Sequence, residues 1–135
     1  MLTEKDYCDY ETCVALIEMG FVGTSRYYYD KKNHKLHITN YGIIYTVRTA
    51  SASDYVLAIH LYDAAKWLRE EKKIHIEPYF ISILNGHPEF KWLITNEKQP
   101  FFIHNSTNSK DRYNSYEKTL NEGIKEAIKL LKEEK

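Results

Sequence analysis

The chain has 135 residues, of which 43% are hydrophobic and 28% charged, a composition typical of a globular domain rather than a disordered segment. Nineteen basic and nineteen acidic residues cancel, so no net charge draws the chain to nucleic acid or to an anionic membrane. No apolar run reaches the ~20 residues of a membrane span, and the N-terminus lacks the apolar core of a secretory signal. We therefore expect one domain over residues 1–135 that is cytoplasmic, has no membrane partner, and keeps Cys8 and Cys13 reduced.

The first predicted element is a helix over residues 10–19. Asp9 is a good N-cap, because its carboxylate can accept a hydrogen bond from an unpaired amide of the first turn. After the helix, Gly20 suits a left-handed residue, and Phe21 can fold back on Leu16 as in a Schellman motif. The segment thus carries both a start signal and a stop signal.

Residues 25–48 predict a meander of short strands. Aromatic and aliphatic side chains recur there in short runs that are separated by polar turns. We place these strands at residues 26–29, 36–38 and 43–47, with a further short strand at 55–58. We expect no helix in this part of the chain.

The second half predicts a helix followed by a long β-hairpin. Residues 61–73 show the one-face spacing of an amphipathic helix, and residues 74–84 form a strand in which Pro78 implies an edge position or a bulge. Asn85–Gly86 is the strongest two-residue hairpin signal, and residues 90–95 form the half-buried return strand. The prediction for this half of the chain therefore rests on local sequence signals.

A short strand at 101–104, a polar loop at 105–114 and an amphipathic helix at 115–132 complete the chain. The order α-β-β-(β)-α-β-β-α predicts the α+β class, with an antiparallel β-sheet and three packed helices. The apolar helix faces predict a core that includes Leu16, Ile17, Leu61, Ala65, Leu68, Leu120, Ile124 and Leu131.

Four segments resemble a known group of proteins: residues 9–21, 61–72, 91–96 and 115–131. The run Lys66-Trp67-Leu68-Arg69-Glu70-Glu71 is the most specific part of the match. On these residues the chain is similar to small proteins from genomes, prophages and mobile elements of gut anaerobic bacteria, and more distantly to phage domains with an α-β-α sandwich. The resemblance implies a fold and a phage context, and it transfers no catalytic residues.

Six histidines raise the question of a metal site. His75 and Glu77 share one face of a predicted strand, whereas His34 and His37 lie across a predicted turn. A metal site needs three or four convergent ligands, and no spacing supplies a third. We therefore expect no metal, no cofactor and no disulfide.

Motifs of nucleophilic or phosphate chemistry are missing from the sequence. It has no Gly-x-Ser-x-Gly, P-loop, Rossmann glycine triplet or Cys-x-x-Cys, and its five glycines are used singly. An enzyme with a site in a cleft between the second helix and the sheet stays an alternative, because catalytic sites also form without local motifs. No catalytic residue is assigned.

Charge is segregated along the chain although its sum is zero. Residues 1–24 carry one basic and five acidic side chains, whereas residues 25–50 carry five basic and one acidic. Basic groups interleaved with tyrosines can follow phosphates and stack on bases, and lysines at hairpin tips also protect sheet edges. The candidate nucleic-acid or partner surface consists of Arg26, Tyr27, Tyr29, Lys31, Lys32, Lys35 and Arg48.

Trp67 is a further candidate for partner binding. Tryptophan and arginine are frequent in binding hot spots, so Trp67 beside Arg69 suits a recognition face. The same pair suits a tryptophan that covers the core edge with the arginine laid over its ring. We favour the core-packing role.

The sequence as a whole predicts a non-enzymatic accessory protein of a phage or mobile element that acts by binding a protein partner. Direct nucleic-acid binding through residues 25–48 is one alternative, and a small enzyme is another. Convergence of titratable side chains in a concave pocket would discriminate the enzyme from the binders.

Overall fold

The structure, a computed structural model, describes residues 4–105 and 113–133. Within these ranges it has four α-helices and eight strands with antiparallel pairing, which confirms the α+β class. None of the helices described is long and apolar enough to cross a membrane. The chain divides into two compact units, Met1–His60 (unit 1) and Leu61–Lys135 (unit 2). The single domain over 1–135 stays a prediction.

Unit 1 begins with a short 3-10 helix followed by helix α1, Tyr10–Glu18. As predicted, the Asp9 side chain caps α1 by accepting a hydrogen bond from an amide in its first turn, at 2.9 Å. Gly20 is left-handed with φ of 103°, and the Phe21 amide donates to the Leu16 carbonyl at 2.9 Å. The Schellman motif is confirmed, and it ends α1 where the sequence predicts.

The strands of unit 1 are short and form two separate sheets: β1 Thr24–Ser25, β2 Tyr27–Asp30, β3 Leu36–Ile38, β4 Tyr45–Thr46 and β5 Tyr55–Leu57. β1 pairs with β4, and the larger sheet has the order β3-β2-β5. The structure therefore divides what the sequence suggests as a single sheet. It leaves β5 at a sheet edge.

Helix α2, Val47–Ala52, lies where the sequence analysis expects the end of a strand and no helix. A capping box explains the difference: the Thr49 amide donates to the Thr46 hydroxyl, and the Thr46 amide donates to the Thr49 hydroxyl. Two otherwise unpaired amides are thus satisfied at the helix start. This local signal overrides the strand pattern of the preceding residues.

Unit 2 contains helix α3 Leu61–Glu71, strands β6 Ile74–Leu84, β7 His87–Asn96 and β8 Gln99–Asn105, and helix α4 Tyr116–Glu133. Asn85 and Gly86 both have positive φ and connect β6 to β7 in the predicted hairpin. Pro78 lies on β6, an edge strand of the sheet β6-β7-β8, as its missing amide predicts. The predicted loop at 105–114 lies largely outside the described residues.

Helices α3 and α4 pack on the long hairpin of unit 2. Ser115 caps α4, because its hydroxyl accepts a hydrogen bond from the Lys118 amide at 3.1 Å. Gly123 brings α4 close to the sheet: a Cβ atom there would stand 2.7 Å from the Ile76 Cγ2 atom. The helix can therefore approach β6 only with glycine at this position.

The predicted core is confirmed at Leu16, Leu61, Leu68, Leu120 and Ile124, which are buried. It is wrong in part, because three further members are only half-buried: Ile17, Ala65 and Leu131. Each of the three lies at the margin of its helix's apolar stripe or near a helix end. A helical stripe predicts the direction of burial better than its extent.

Candidate functional site

A groove of about 1000 Å³ lies in unit 1 beside α1, α2 and β5. Ligand pockets in proteins reach this volume at the upper end of their range. The walls of the groove are mainly apolar, and they include Val14, Ile17, Phe21, Val47, Val56 and Leu57. The groove is the candidate functional site.

Helix α1 forms one wall because it has apolar side chains on two adjacent stripes. Cys13 and Leu16 are fully buried beneath the helix. Tyr10, Val14 and Ile17 are spaced by four and three residues, so they share a second stripe, and all three line the groove. This second stripe is the physical reason why Ile17 is half-buried rather than part of the core.

Helix α2 forms the other wall, and its capping box sets its direction. Val47, Arg48 and Ser51 from this helix line the groove, while Ala50 is buried on the opposite side. Because α2 has only six residues, its position depends on the Thr46–Thr49 bonds and on packing against β5. The groove is therefore built by the helix that the sequence analysis does not predict.

Three charged side chains line the groove: Glu18, Lys31 and Arg48. All three are exposed, so they border the apolar walls on the solvent side. The Lys31 Nζ atom lies 3.7 Å from the Asp54 Oδ1 atom, in an ion pair that is open to water and therefore weak. The groove thus combines apolar walls with two cations and one anion.

A cluster of aromatic rings lies on the face of the sheet β3-β2-β5 that carries Tyr28 and Tyr55. The Tyr28 ring stacks on Tyr55 with 4.1 Å between centroids, and it also stacks on His37 at 5.5 Å. Tyr45 meets Tyr28 and Tyr55 edge-on. Burial, and then the neighbouring Tyr55, raises the pKa of Tyr28 above its usual value. The ionisation of Tyr28 is therefore disfavoured beside the groove residue Tyr55.

A buried polar network in unit 1 includes one residue that was predicted to lie on the binding surface, Tyr29. The Tyr29 hydroxyl donates to the Cys8 carbonyl at 2.6 Å, and the Ile59 amide donates to the Cys13 Sγ atom at 3.3 Å. The pKa of the Cys8 thiol is raised by its hydrogen bond to Cys13 and by burial. Tyr29 is buried by this network, so assigning it to a binding surface is wrong.

The predicted basic residues are distributed over several places in unit 1. Lys31 and Arg48 line the groove. Lys32 and Lys35 are exposed in the turn that follows β2, where the Asp30 and Asn33 side chains accept bonds from their amides. Arg26 precedes β2, at the opposite end of a four-residue strand that spans roughly 13 Å. The structure does not bring these residues into one stripe.

The two remaining candidates are half-buried. The Tyr27 ring lies 4.8 Å from the ring of the buried Tyr7. In unit 2 the Lys72 Nζ atom lies 5.5 Å from the centroid of the Trp67 ring, a cation–π contact. Lys72 lies just after the last residue of α3, three positions beyond the Arg69 that the sequence suggested for such a contact.

Two of the histidines, His75 and His34, have neighbours of ordinary kinds. His75 Nε2 lies 2.7 Å from Glu97 Oε2 in unit 2, rather than meeting the Glu77 of the predicted ridge. The His34 ring packs edge-on against Tyr10, with 3.7 Å between centroids. Across the described residues no three His, Cys, Asp or Glu side chains converge on a point that a metal ion could occupy.

Sequence reasoning missed most of the groove walls. The apolar face of α1 was treated as one core stripe, although Tyr10 and Val14 extend it well beyond the width of such a stripe. The excess width of the apolar face of α1 was the sequence signal from which this wall could have been predicted. The wall formed by α2 had a second signal in the Thr46-x-x-Thr49 spacing of the capping box.

We compared the chain with protein-family models, with curated proteins and with solved structures, and no match was found in any of the three. The resemblance to phage and mobile-element proteins therefore stays a prediction from the residues.

Proposed function

We propose that this protein binds a segment of a partner protein in the groove of unit 1. The observation that carries the proposal is the groove of about 1000 Å³, with apolar walls from two helices and a strand. Concave apolar surfaces of this size are typical of binding sites, because covering them removes apolar area from water. A binder also matches the function predicted from the sequence.

The lining favours binding over catalysis. An enzyme needs acids, bases or nucleophiles that converge on one reacting atom. Here the charged groups Glu18, Lys31 and Arg48 are exposed, and the deeper walls are aliphatic or aromatic. Such a lining suits recognition of apolar side chains that carry a nearby charge.

We further propose that the binder serves a phage or mobile element, a setting supported by the sequence resemblance alone. An accessory protein of this kind acts by recruiting or blocking a host or phage component. That role requires a recognition surface and no chemistry of its own, which agrees with an apolar groove.

Affinity capture from the native or infected host, read by mass spectrometry, tests the proposal. The groove variant combines Val22→Asp and Ala52→Arg, because Val22 is 76% exposed and Ala52 is exposed, so neither change disturbs the core. The matched control is Ile83→Asp in unit 2, where the side chain is 67% exposed and lies outside the groove.

We expect a defined partner to be retained by the wild type and by Ile83→Asp, and to be lost from the groove variant. Equal retention by all three proteins would contradict binding in the groove. Circular dichroism of each variant at equal concentration checks that the fold is kept.

Nucleic-acid binding is the second candidate, and the ring cluster of Tyr28, Tyr55 and His37 favours it. Aromatic faces near lysines can stack bases while the cations follow phosphates. Replacing Lys31, Lys32 and Lys35 by Glu should then abolish retention on single-stranded DNA or RNA, with a steep salt dependence in the wild type. Failure of the wild type to bind at low salt would dispose of this candidate.

A further inference from the structure

Three consecutive residues of β5 line the groove: Tyr55, Val56 and Leu57. Successive side chains of a strand point to opposite faces of its sheet. A groove that touches all three therefore cannot lie on one face, and it must run along the strand's edge. β5 is at the edge of its sheet, with β2 as its one described strand partner.

The two helices lie on opposite faces of this edge. Val56 is paired with Tyr29 and shares its face, where the Tyr29 ring lies 6.0 Å from the Tyr10 ring of α1. Tyr55 shares the other face, where its ring meets Tyr45, just before α2 begins. The edge of β5 is thus the floor between a wall from α1 and a wall from α2.

The hydrogen bonds around β5 show which backbone groups point to the open edge. The Ala58 amide donates to the Tyr27 carbonyl at 3.0 Å, so Ala58 points toward β2. Ile59 points the other way: its amide donates to the Cys13 Sγ atom, and its carbonyl accepts from the Cys8 amide at 2.8 Å. The segment before α1 therefore already occupies this edge at Ile59.

Backbone groups alternate in direction along a strand, so the amides and carbonyls of Tyr55 and Leu57 point to the same side as those of Ile59. Their amides and carbonyls consequently face the groove. Within residues 4–105 and 113–133, neither residue has a hydrogen bond from these groups to another backbone or side-chain group. Unpaired backbone groups beside apolar walls are costly, and an added strand would satisfy them.

The charges of the groove add a preference for sign. Lys31 and Arg48 line the groove with one anion, Glu18, and Lys31 also lies 3.7 Å from the Asp54 carboxylate in an exposed and therefore weak ion pair. Lys31 lies near the Tyr55 end, because Asp30 is the residue paired with Tyr55 and Lys31 follows it. A carboxylate of the occupant at that end would take the place of Asp54 beside Lys31, because the Lys31–Asp54 pair is exposed and easily exchanged.

We propose that the groove takes an extended peptide, which adds as a strand to the outer edge of β5 between α1 and α2. Its backbone pairs with Tyr55 and Leu57, its alternate apolar side chains point to the two helix walls, and a carboxylate lies at Lys31. This inference rests on the proposed function and specifies the conformation and charge of the bound segment.

Amide hydrogen exchange of the free protein tests the backbone geometry. We expect the amides of Tyr55 and Leu57 to exchange at least about tenfold faster than those of Val56 and Ala58, because only the latter pair with β2. Equal protection at all four positions would overturn the assignment of an open edge.

Selection from a displayed library of random peptides of about ten residues supplies a probe for the bound state. We expect the selected peptides to slow exchange at Tyr55 and Leu57. N-methylation of their backbone should weaken binding about tenfold or more at every second residue only, since alternate amides face β5. N-methylation without this alternation, or a helical spacing of the important side chains, would overturn strand addition.

Two neighbouring lysines in one turn, Lys31 and Lys32, give a matched pair of variants that tests the charge preference. Lys31→Glu should weaken a carboxylate-bearing peptide about tenfold, whereas Lys32→Glu, which does not line the groove, should change affinity less than about twofold. Equal effects of the two variants would contradict the placement of the carboxylate.

The outcomes separate this inference from the proposed function. Peptides that bind the wild type, fail on the Val22→Asp/Ala52→Arg variant and give no alternation would overturn strand addition and leave groove binding in place. Absence of any groove-dependent peptide would overturn the inference, and the capture experiment then decides the proposed function independently.

Discussion

Unit 2 is built from long regular elements, whereas unit 1 is built from short ones. In unit 2, β6 and β7 have 11 and 10 residues, and α4 has 18. In unit 1 the longest strand has four residues and α2 has six. Long elements satisfy most of their backbone groups by themselves, while short strands end early and leave edges to be satisfied by other means.

Left-handed residues occur in both units, each at a cost on the order of 1 kcal/mol for a residue with a side chain. Among the described residues these are His34, Tyr41 and Asp54 in unit 1, and Lys73 and Asn85 in unit 2. Unit 1 also has specific buried bonds, including the one from the Tyr29 hydroxyl to the Cys8 carbonyl. The groove lies in this less regular unit, which agrees with the general location of binding sites on short, shaped segments.

The largest expected effect comes from truncating one core leucine in each unit. Leu16 and Leu68 are both fully buried, so Leu16→Ala and Leu68→Ala should each lower the free energy of unfolding by about 2–5 kcal/mol. Urea unfolding measures both. A loss below about 1 kcal/mol at either site would contradict the packing described for that unit.

The same pair of variants tests the predicted single domain. Trp67 and Trp92, the only tryptophans, both belong to unit 2. If residues 1–135 unfold as one domain, Leu16→Ala in unit 1 must shift the tryptophan fluorescence transition as Leu68→Ala does. If Leu16→Ala leaves the tryptophan fluorescence transition unchanged, the two units are independent domains.

The next effect concerns the close approach of α4 to its sheet. Gly123→Ala gains up to about 1 kcal/mol of helix propensity, but its methyl group would meet Ile76 and overpacking costs about 1–3 kcal/mol. We expect Gly123→Ala to lower the free energy of unfolding by about 1 kcal/mol, as measured by thermal or urea unfolding. Gly123→Ala in an Ile76→Ala background is the control, where the same change should become neutral or stabilising.

Removing one helix cap in each unit should have a smaller effect on the free energy of unfolding. Asp9→Ala removes the cap of α1 and Ser115→Ala the cap of α4, each at a cost of about 0.5–2 kcal/mol. Asp9→Ala should also weaken groove binding, because α1 forms one wall, whereas Ser115→Ala should not. Equal effects of both variants on peptide affinity would contradict the position of the groove.

The smallest effect is a dependence of stability on alkaline pH. The pKa of Cys8 is raised above its ordinary value of 9.0, so the unfolded thiol ionises first as pH rises. The contribution of Cys8 to stability is therefore complete below that value and is lost above it, by at most about 1.4 kcal/mol per pH unit. Cys8→Ala should flatten the fall in unfolding free energy, and a slope unchanged by Cys8→Ala would contradict the assignment.

Sequence alone determined the features that rest on interactions between near neighbours. The cap at Asp9, the Schellman motif at Gly20, the turn at Asn85–Gly86 and the edge position of Pro78 were all predicted, because each depends on residues within a few positions. The amphipathic faces of α3 and α4 likewise predicted the buried Leu68 and its neighbours. Most of the elements of unit 2 were therefore predicted from the sequence.

Only the tertiary structure decided what unit 1 does with its short elements. Tyr29 was expected at a surface but is buried, because the Cys8 carbonyl lies where its hydroxyl can reach it. The open edge of β5 depends on which strands pair, and pairing joins residues far apart in the sequence. A binding groove is a property of such distant pairings, so neither its walls at α1 and α2 nor the space between them was predicted from the sequence.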